Sequence, residues 1–197
     1  MNRTPNTRKK DTHERIVDVA SRAIRKHGYG GVGVAAVMKE AGLTHGGFYS
    51  HFESRDALLI EALDRAGRDR FGTATRAAKR RNAEGVSVFR GLVEAYLADR
   101  QLASLETGCP VAALACDMPR QSQAVREASA VHVQQLIAAT RHALPEPHRA
   151  AASLVTATLV GALQLSRALG NNAGGRAVLS SCRELLIRLY DTSPTSH

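Results

Sequence analysis

Apolar residues recur at spacings of three and four along nearly the whole of this 197-residue chain, and no run alternates with the period of two that a half-buried strand requires. The chain is therefore expected to be all-α. Ile16, Val19, Ala20, Ala23, Ile24 and His27 trace one face of a first helix, with Asp11 and Glu14 spaced as a capping box and Gly28 placed where the helix ends. A second, short helix is expected over 34–41, stopping at Gly42. A third starts at Thr44, a good N-cap, and ends near Phe52. Ser54 then caps a long fourth helix through Leu58, Leu59, Ala62, Leu63 and Ala66. Beyond Glu84-Gly85 the pattern predicts helices over 86–103, 110–116, 121–143, 148–170 and 176–190, with a proline-bounded turn at 144–147 and a loop at 171–175. Residues 1–10 and 192–197 read as disordered tails, leaving a small domain at 11–53 and a larger helical one at 54–191.

Charge separates the same two parts. Residues 1–81 hold 17 of the 27 Lys and Arg against 9 of the 18 Asp and Glu, so +8 of the net +9 lies there and the remainder is almost neutral. That pattern describes a polyanion-binding head on a body with other duties. The longest apolar runs fall far short of the roughly 18 to 20 residues that cross a bilayer, and the polar, basic start carries no secretory signal. With three unclustered cysteines and no disulfide framework, the expected location is the cytoplasm, with no membrane partner. Neither a metal site nor a cofactor is expected. G-x-S-x-G and H-E-x-x-H are absent, and Cys109 and Cys116 lie too far apart for a C-x-x-C pair. An enzyme using Cys109 as nucleophile therefore has no local support. Gly28, Gly30 and Gly33 match G-x-G-x-x-G, but that loop must follow a strand, and here it follows an amphipathic helix.

The informative stretch is 34–52, two short helices joined by the turn Gly42-Leu43-Thr44. This is the helix-turn-helix plan, whose second helix enters a DNA major groove about 12 Å wide. Phe48 and Phe52, four apart, face inward, leaving His45, Gly46, Gly47, Tyr49, Ser50 and His51 outward. Two glycines in a first turn cost about 1 kcal/mol each in helix propensity. They make sense where backbone N–H groups must come close to a phosphate or a base edge.

Residues 28–59, GYGGVGVAAVMKEAGLTHGGFYSHFESRDALL, resemble the DNA-binding signature of the tetracycline-repressor (TetR) family of bacterial transcription regulators. The shared features are a helix ending in Gly-aromatic, a small helix ending in Ala-Gly, a Thr cap, glycine in the first turn, an aromatic-Tyr pair, and an aromatic before Ser-Arg-Asp-Ala-Leu. The resemblance implies phosphate contacts from Thr44, Tyr49, His51 and Arg55, and base reading around His45, Gly46, Gly47 and Ser50. Two positions depart from the family pattern. Gly33 stands where Ser or Thr usually caps the second helix, and His45 stands where Lys is common.

Beyond about residue 60 the likeness is one of helical plan only. It implies a three-helix head joined by the long fourth helix to a ligand-binding and dimerisation body, with coupling running along that helix from Ser54. The last two helices then form the homodimer interface through Val155, Leu159, Ala162, Leu165, Leu185 and Leu186. The middle helices enclose an unidentified small-molecule inducer, for which Phe89, Tyr96, Cys109, Met118, His132 and Gln135 are the candidate contacts. The implied function is a homodimeric repressor that binds a double-stranded operator and is released by that inducer. A variant reading has the release act through modification of Cys109, a thiol ahead of Pro110 at a helix start. A non-specific nucleoid protein is the competing class, disfavoured by the size of the neutral body.

Overall fold

The first helix begins earlier than its capping signals predict. In a computed structural model, which describes residues 5–191 and the side chains of 7–70 and 84–191, α1 runs Pro5–His27. Asp11 is thus inside a helix and not at its cap, and Glu14 pairs across the surface with Arg65 at 3.2 Å. The disordered tail expected over 1–10 is corrected for 5–10: proline is at home in a first helical turn, and Arg8, Lys9 and Lys10 are good helix formers that extend it. Residues 1–4, and the tail expected at 192–197, lie outside the described residues.

The chain divides into two compact units, Met1–Asp69 with Glu106–Ala130, and Arg70–Leu105 with Val131–His197. This division differs from the boundary expected at residue 53. The first unit takes in the start of the long helix α3 (Arg55–Ala83) and a segment from the middle of the chain. Within it α1 packs on α2 (Val34–Glu40) and on the short α5 (Pro110–Leu114). Its core is built from Ile16, Ala20 and Ile24 of α1, Val37 and Met38 of α2, Phe48 and Phe52, and Leu58, Leu59, Ala62 and Leu63 of α3, all 3 % exposed or less. The α3 stripe read from the sequence is this inward face. The α1 stripe holds for Ile16, Val19, Ala20 and Ile24 but is corrected at its end, where Ala23 is half-buried and His27 is exposed while Ser21 and Arg25 take the buried positions. Ser54 caps α3 as expected, its Oγ accepting from the Ala57 N–H at 3.1 Å.

In the second unit, α4 (Val88–Tyr96) is capped by Ser87, and a separate 3-10 turn covers Asp99–Leu102 in place of the single helix expected over 86–103. Side-chain bonds to the backbone, one from far along the chain and one from the 3-10 turn itself, accompany the break. Arg183 donates to the Leu97 carbonyl at 3.0 Å and the Gln101 amide to the Ala95 carbonyl at 3.1 Å, satisfying groups that a continuing helix would have bonded. The helix α6 (Gln123–Ala143) begins in the first unit and continues into the second. α7 (Ala152–Leu169) and α8 (Ala173–Tyr190) pack against each other, with Val155, Leu159, Leu163, Leu179 and Leu186 between them and the unit's interior. The stretch Glu146–Leu169 is long and apolar enough to cross a membrane by length and composition. Within its unit it buries one face, from Ala152 to Ser166, and leaves Leu154, Leu165 and Leu169 exposed on the other.

Candidate nucleic-acid interface

The turn between α2 and the reading segment is set by Gly42. Its φ of +72° lets the chain reverse while the Gly42 and Leu43 N–H groups return to the Lys39 and Met38 carbonyls at 3.0 and 2.8 Å. The following segment, His45–Ser50, is a 3-10 helix and not the α-helix expected over 44–52. Two low-propensity glycines in six residues leave the tighter i→i+3 winding competitive. Thr44 holds the N-cap position in extended geometry, but its side chain makes no capping bond, so the hydroxyl is not spent on the helix.

Phe48 is buried and stacks on Phe52 at 5.5 Å, anchoring the segment to the core. The opposite face is open. Tyr49 is 72 % exposed, and Thr44, His45, Gly46 and Ser50 are exposed as well. The Ser50 hydroxyl donates to the Gly47 carbonyl at 2.7 Å, which leaves its oxygen as an outward acceptor. Neither glycine has positive φ. Among the described residues a methyl at Gly46 would meet nothing within 4 Å, and one at Gly47 would make only ordinary contacts, with Met38 at 3.7 Å and the Thr44 Oγ1 at 3.9 Å. The protein's own packing therefore does not require glycine at either position.

His51 is half-buried, with its ring 6.0 Å from His13 and its Nδ1 buried without a hydrogen-bond partner among the described residues. Burial, and after it the charges of His13 and Lys9, push its pKa below the ordinary value, so the imidazole is neutral near pH 7 and offers a single N–H. His13 itself stacks on Phe52 at 4.5 Å and meets the Glu61 carboxylate at 2.7 Å.

Arg55 has a role inside the protein that the sequence did not indicate. Its guanidinium donates to the Val32 carbonyl at 3.2 Å and to the Tyr29 carbonyl, bracing the loop ahead of α2 from the first turn of α3. Two donors of the expected phosphate contact are thus committed inside the protein. Sequence reasoning also passed over Tyr29, which is fully buried with its phenol 2.9 Å from the Ser129 hydroxyl. Desolvation is the main cause of its raised pKa. The signal for it was the glycine-rich run GYGG: Gly28 has φ +71°, and a Cβ there would come within 2.5 Å of the Asp117 carboxylate.

The six candidate ligand residues do not fall in one unit. Cys109 and Met118 belong to the first, where both are buried. Phe89, Tyr96, His132 and Gln135 belong to the second. There Phe89 packs edge-on against Tyr190 at 6.3 Å, Tyr96 lies under the Arg70 guanidinium at 5.3 Å, and His132 is buried. Gln135 is exposed, since it lies off the inward face of α6. Cys109 is the N-cap of α5 as expected but is only 3 % exposed, whereas Cys116 is exposed and Cys182 intermediate. Modification of Cys109, on which the variant reading depends, requires an accessible thiol, and α5 instead turns it into the unit's interior beside Val111, Ala112 and Leu114, which are also buried.

The expected dimer residues also divide. Val155, Leu159, Ala162 and Leu186 are 0 to 5 % exposed within the single chain, because they form the faces α7 and α8 turn inward. Leu165 and Leu185 face outward, alongside Leu154, Leu169 and Leu189.

A family model described as bacterial regulatory proteins, tetR family, matches residues 16–62 of the chain. An uncharacterised HTH-type transcriptional regulator of Mycobacterium tuberculosis is 31 % identical over 171 residues, covering 78 % of this chain and 83 % of the relative. YerO, an uncharacterised HTH-type regulator of Bacillus subtilis, is 35 % identical over 51 residues, 26 % of this chain and 18 % of its own. Among solved structures, the reduced form of E. coli NemR superimposes with a TM-score of 0.74 at 19 % identity, covering 94 % of this chain and all of that one. A TetR-family regulator from Agrobacterium tumefaciens gives 0.74 at 19 % identity, covering 92 % and 99 %.

Proposed function

Because this chain belongs to the TetR family of bacterial transcription regulators, we propose that it is a homodimeric, cytoplasmic repressor whose His45–Ser50 segment reads an operator and which a small-molecule inducer releases. The observation that carries the DNA reading is the glycine pair. Gly46 and Gly47 sit on the exposed side of an anchored helix-turn-helix, where no positive φ and no close neighbour among the described residues calls for a missing side chain. What gains from their absence is a surface brought close from outside. Tyr49 and Thr44 flank them with unspent hydroxyls suited to phosphate oxygens.

Dimerisation is supported by the outer face of α7 and α8. Leu154, Leu165 and Leu169, with Leu185 and Leu189, are 43 to 63 % exposed. An apolar strip of this kind on two packed helices matches a second copy of itself across a two-fold axis, and a two-fold protein matches half-sites about 34 Å apart. Release by a reversible ligand is the better-supported trigger, because the burial of Cys109 weighs against a thiol sensor at that position.

The test is selection of a preferred duplex from a random-sequence pool, followed by titration against it and against bulk DNA. A selected palindromic site bound far more tightly than bulk DNA is the expected result. Affinity should fall about 10³- to 10⁵-fold between roughly 50 and 200 mM salt for some 6 to 10 phosphate contacts. Equal affinity for all duplexes would return the chain to the nucleoid class.

A further inference from the structure

The loop that opens the helix-turn-helix is held from two directions by one residue. The Ser129 hydroxyl donates to the Val125 carbonyl one turn back in α6 at 2.7 Å, so its proton is spent. The 2.9 Å contact with Tyr29 must then run from the phenol O–H to Ser129. Both side chains are fully buried. The Tyr29 carbonyl, on the other side of the same residue, accepts from Arg55 at the head of α3, and Arg55 also holds Val32. Val32 leads directly into Gly33, the N-cap of α2, whose carbonyl accepts from Val37 at 3.1 Å. Two neighbouring contacts reinforce the attachment of this loop to the segment that includes α6. Lys26 pairs with Glu106 at 2.6 Å, and Gly28 lies so near Asp117 that an added Cβ would come within 2.5 Å of its carboxylate.

We propose that Tyr29 is a positioning residue for DNA binding: through its phenol the first two turns of α6 hold the loop 28–33, and through its carbonyl and Arg55 that loop sets the placement of α2 and the reading segment. α6 is one continuous helix, and His132 and Gln135 stand three and six residues beyond Ser129 on it. The proposal rests on the DNA-binding reading, and coupling between two sites is reciprocal, so bound DNA must be felt in α6.

The experiment uses the full chain, a duplex selected from a random pool, and the variants Tyr29→Phe and Ser129→Ala. Tyr29→Phe is the cleaner change, since it leaves Ser129 bonded to Val125 and removes only the phenol donor. Amide hydrogen exchange over residues 123–130 is read with and without saturating duplex, together with duplex affinity. In the parent, duplex should slow exchange over 123–130. In Tyr29→Phe that slowing should disappear and affinity should fall about 25-fold, one hydrogen bond being lost in each of the two heads. Ser129→Ala should reproduce both effects, and the double variant should bind no worse than the poorer single one. A lowered thermal midpoint with parental affinity and parental duplex-induced protection would make the bond merely structural and overturn the proposal. If the parent selects no duplex at all, the DNA reading fails first and the positioning role falls with it.

Discussion

Replacing Gly46 by alanine should move stability and DNA affinity in opposite directions. The site has negative φ and, among the described residues, nothing within 4 Å of an added methyl, so the folded protein accommodates alanine without strain. The unfolded chain meanwhile loses conformational freedom, which stabilises the fold by about 0.4 to 1 kcal/mol. For a protein of this length that raises the thermal midpoint by roughly 1 to 4 °C. On DNA the methyl occupies the space through which the backbone approaches its target. Losing one such contact costs about 1 to 1.5 kcal/mol per head. Two heads on one operator double it to about 2 to 3 kcal/mol, roughly 30- to 150-fold in Kd. Differential scanning fluorimetry and fluorescence anisotropy on the selected duplex measure the two quantities. Parental affinity in Gly46→Ala would refute the close-approach argument, and a lowered midpoint would refute the claim that the fold does not need this glycine.

Glutamate at Leu165 and Leu185 together should yield monomers in sedimentation that lose the full palindromic site, because both residues face outward in the single chain. Persistent dimers would place the interface elsewhere. A maleimide should label the exposed Cys116 first, Cys182 next and the buried Cys109 last in the folded protein, as mass spectrometry of digests would show. Rapid labelling of Cys109 would restore it as a sensor. His51 has its folded pKa held below its ordinary 6.5, so protonation favours the unfolded chain. Its contribution to stability is complete above pH 6.5 and is lost as pH falls through the folded value, so His51→Gln should flatten the decline of thermal midpoint on acidification; an unchanged profile would clear His51 of that role. Arg55→Ala removes two hydrogen bonds from a charged donor to the Tyr29 and Val32 carbonyls, costing about 1 to 3 kcal/mol measured by denaturant unfolding, while leaving the salt slope of DNA binding as in the parent. A flatter slope would return Arg55 to the phosphate backbone.

Features determined by neighbours in the chain are legible in the amino-acid sequence itself. The 3.6-residue stripe of α1 from Ile16 to Ala20, the Ser54 cap, the turn at Gly42 and the inward pair Phe48 and Phe52 each depend on residues within a few positions, and each stands where the pattern puts it. So does the family, because its signature lies within 32 consecutive residues. Periodicity reports that a face is apolar but not what covers it. The leucine stripes of α7 and α8 thus read as one interface, and tertiary packing alone divided them into Val155, Leu159, Ala162 and Leu186 inside and Leu165 and Leu185 outside. Cys109 stands at a helix start as its neighbours dictate, but its burial depends on how α5 lies in its unit. The bond between Tyr29 and Ser129 joins residues 100 apart in sequence, and the Arg183 bond that accompanies the end of α4 joins residues 86 apart. A local pattern carries no information across such separations, because those partners are chosen by the packing of whole helices, and that choice is where this protein's head acquired its hold on α6.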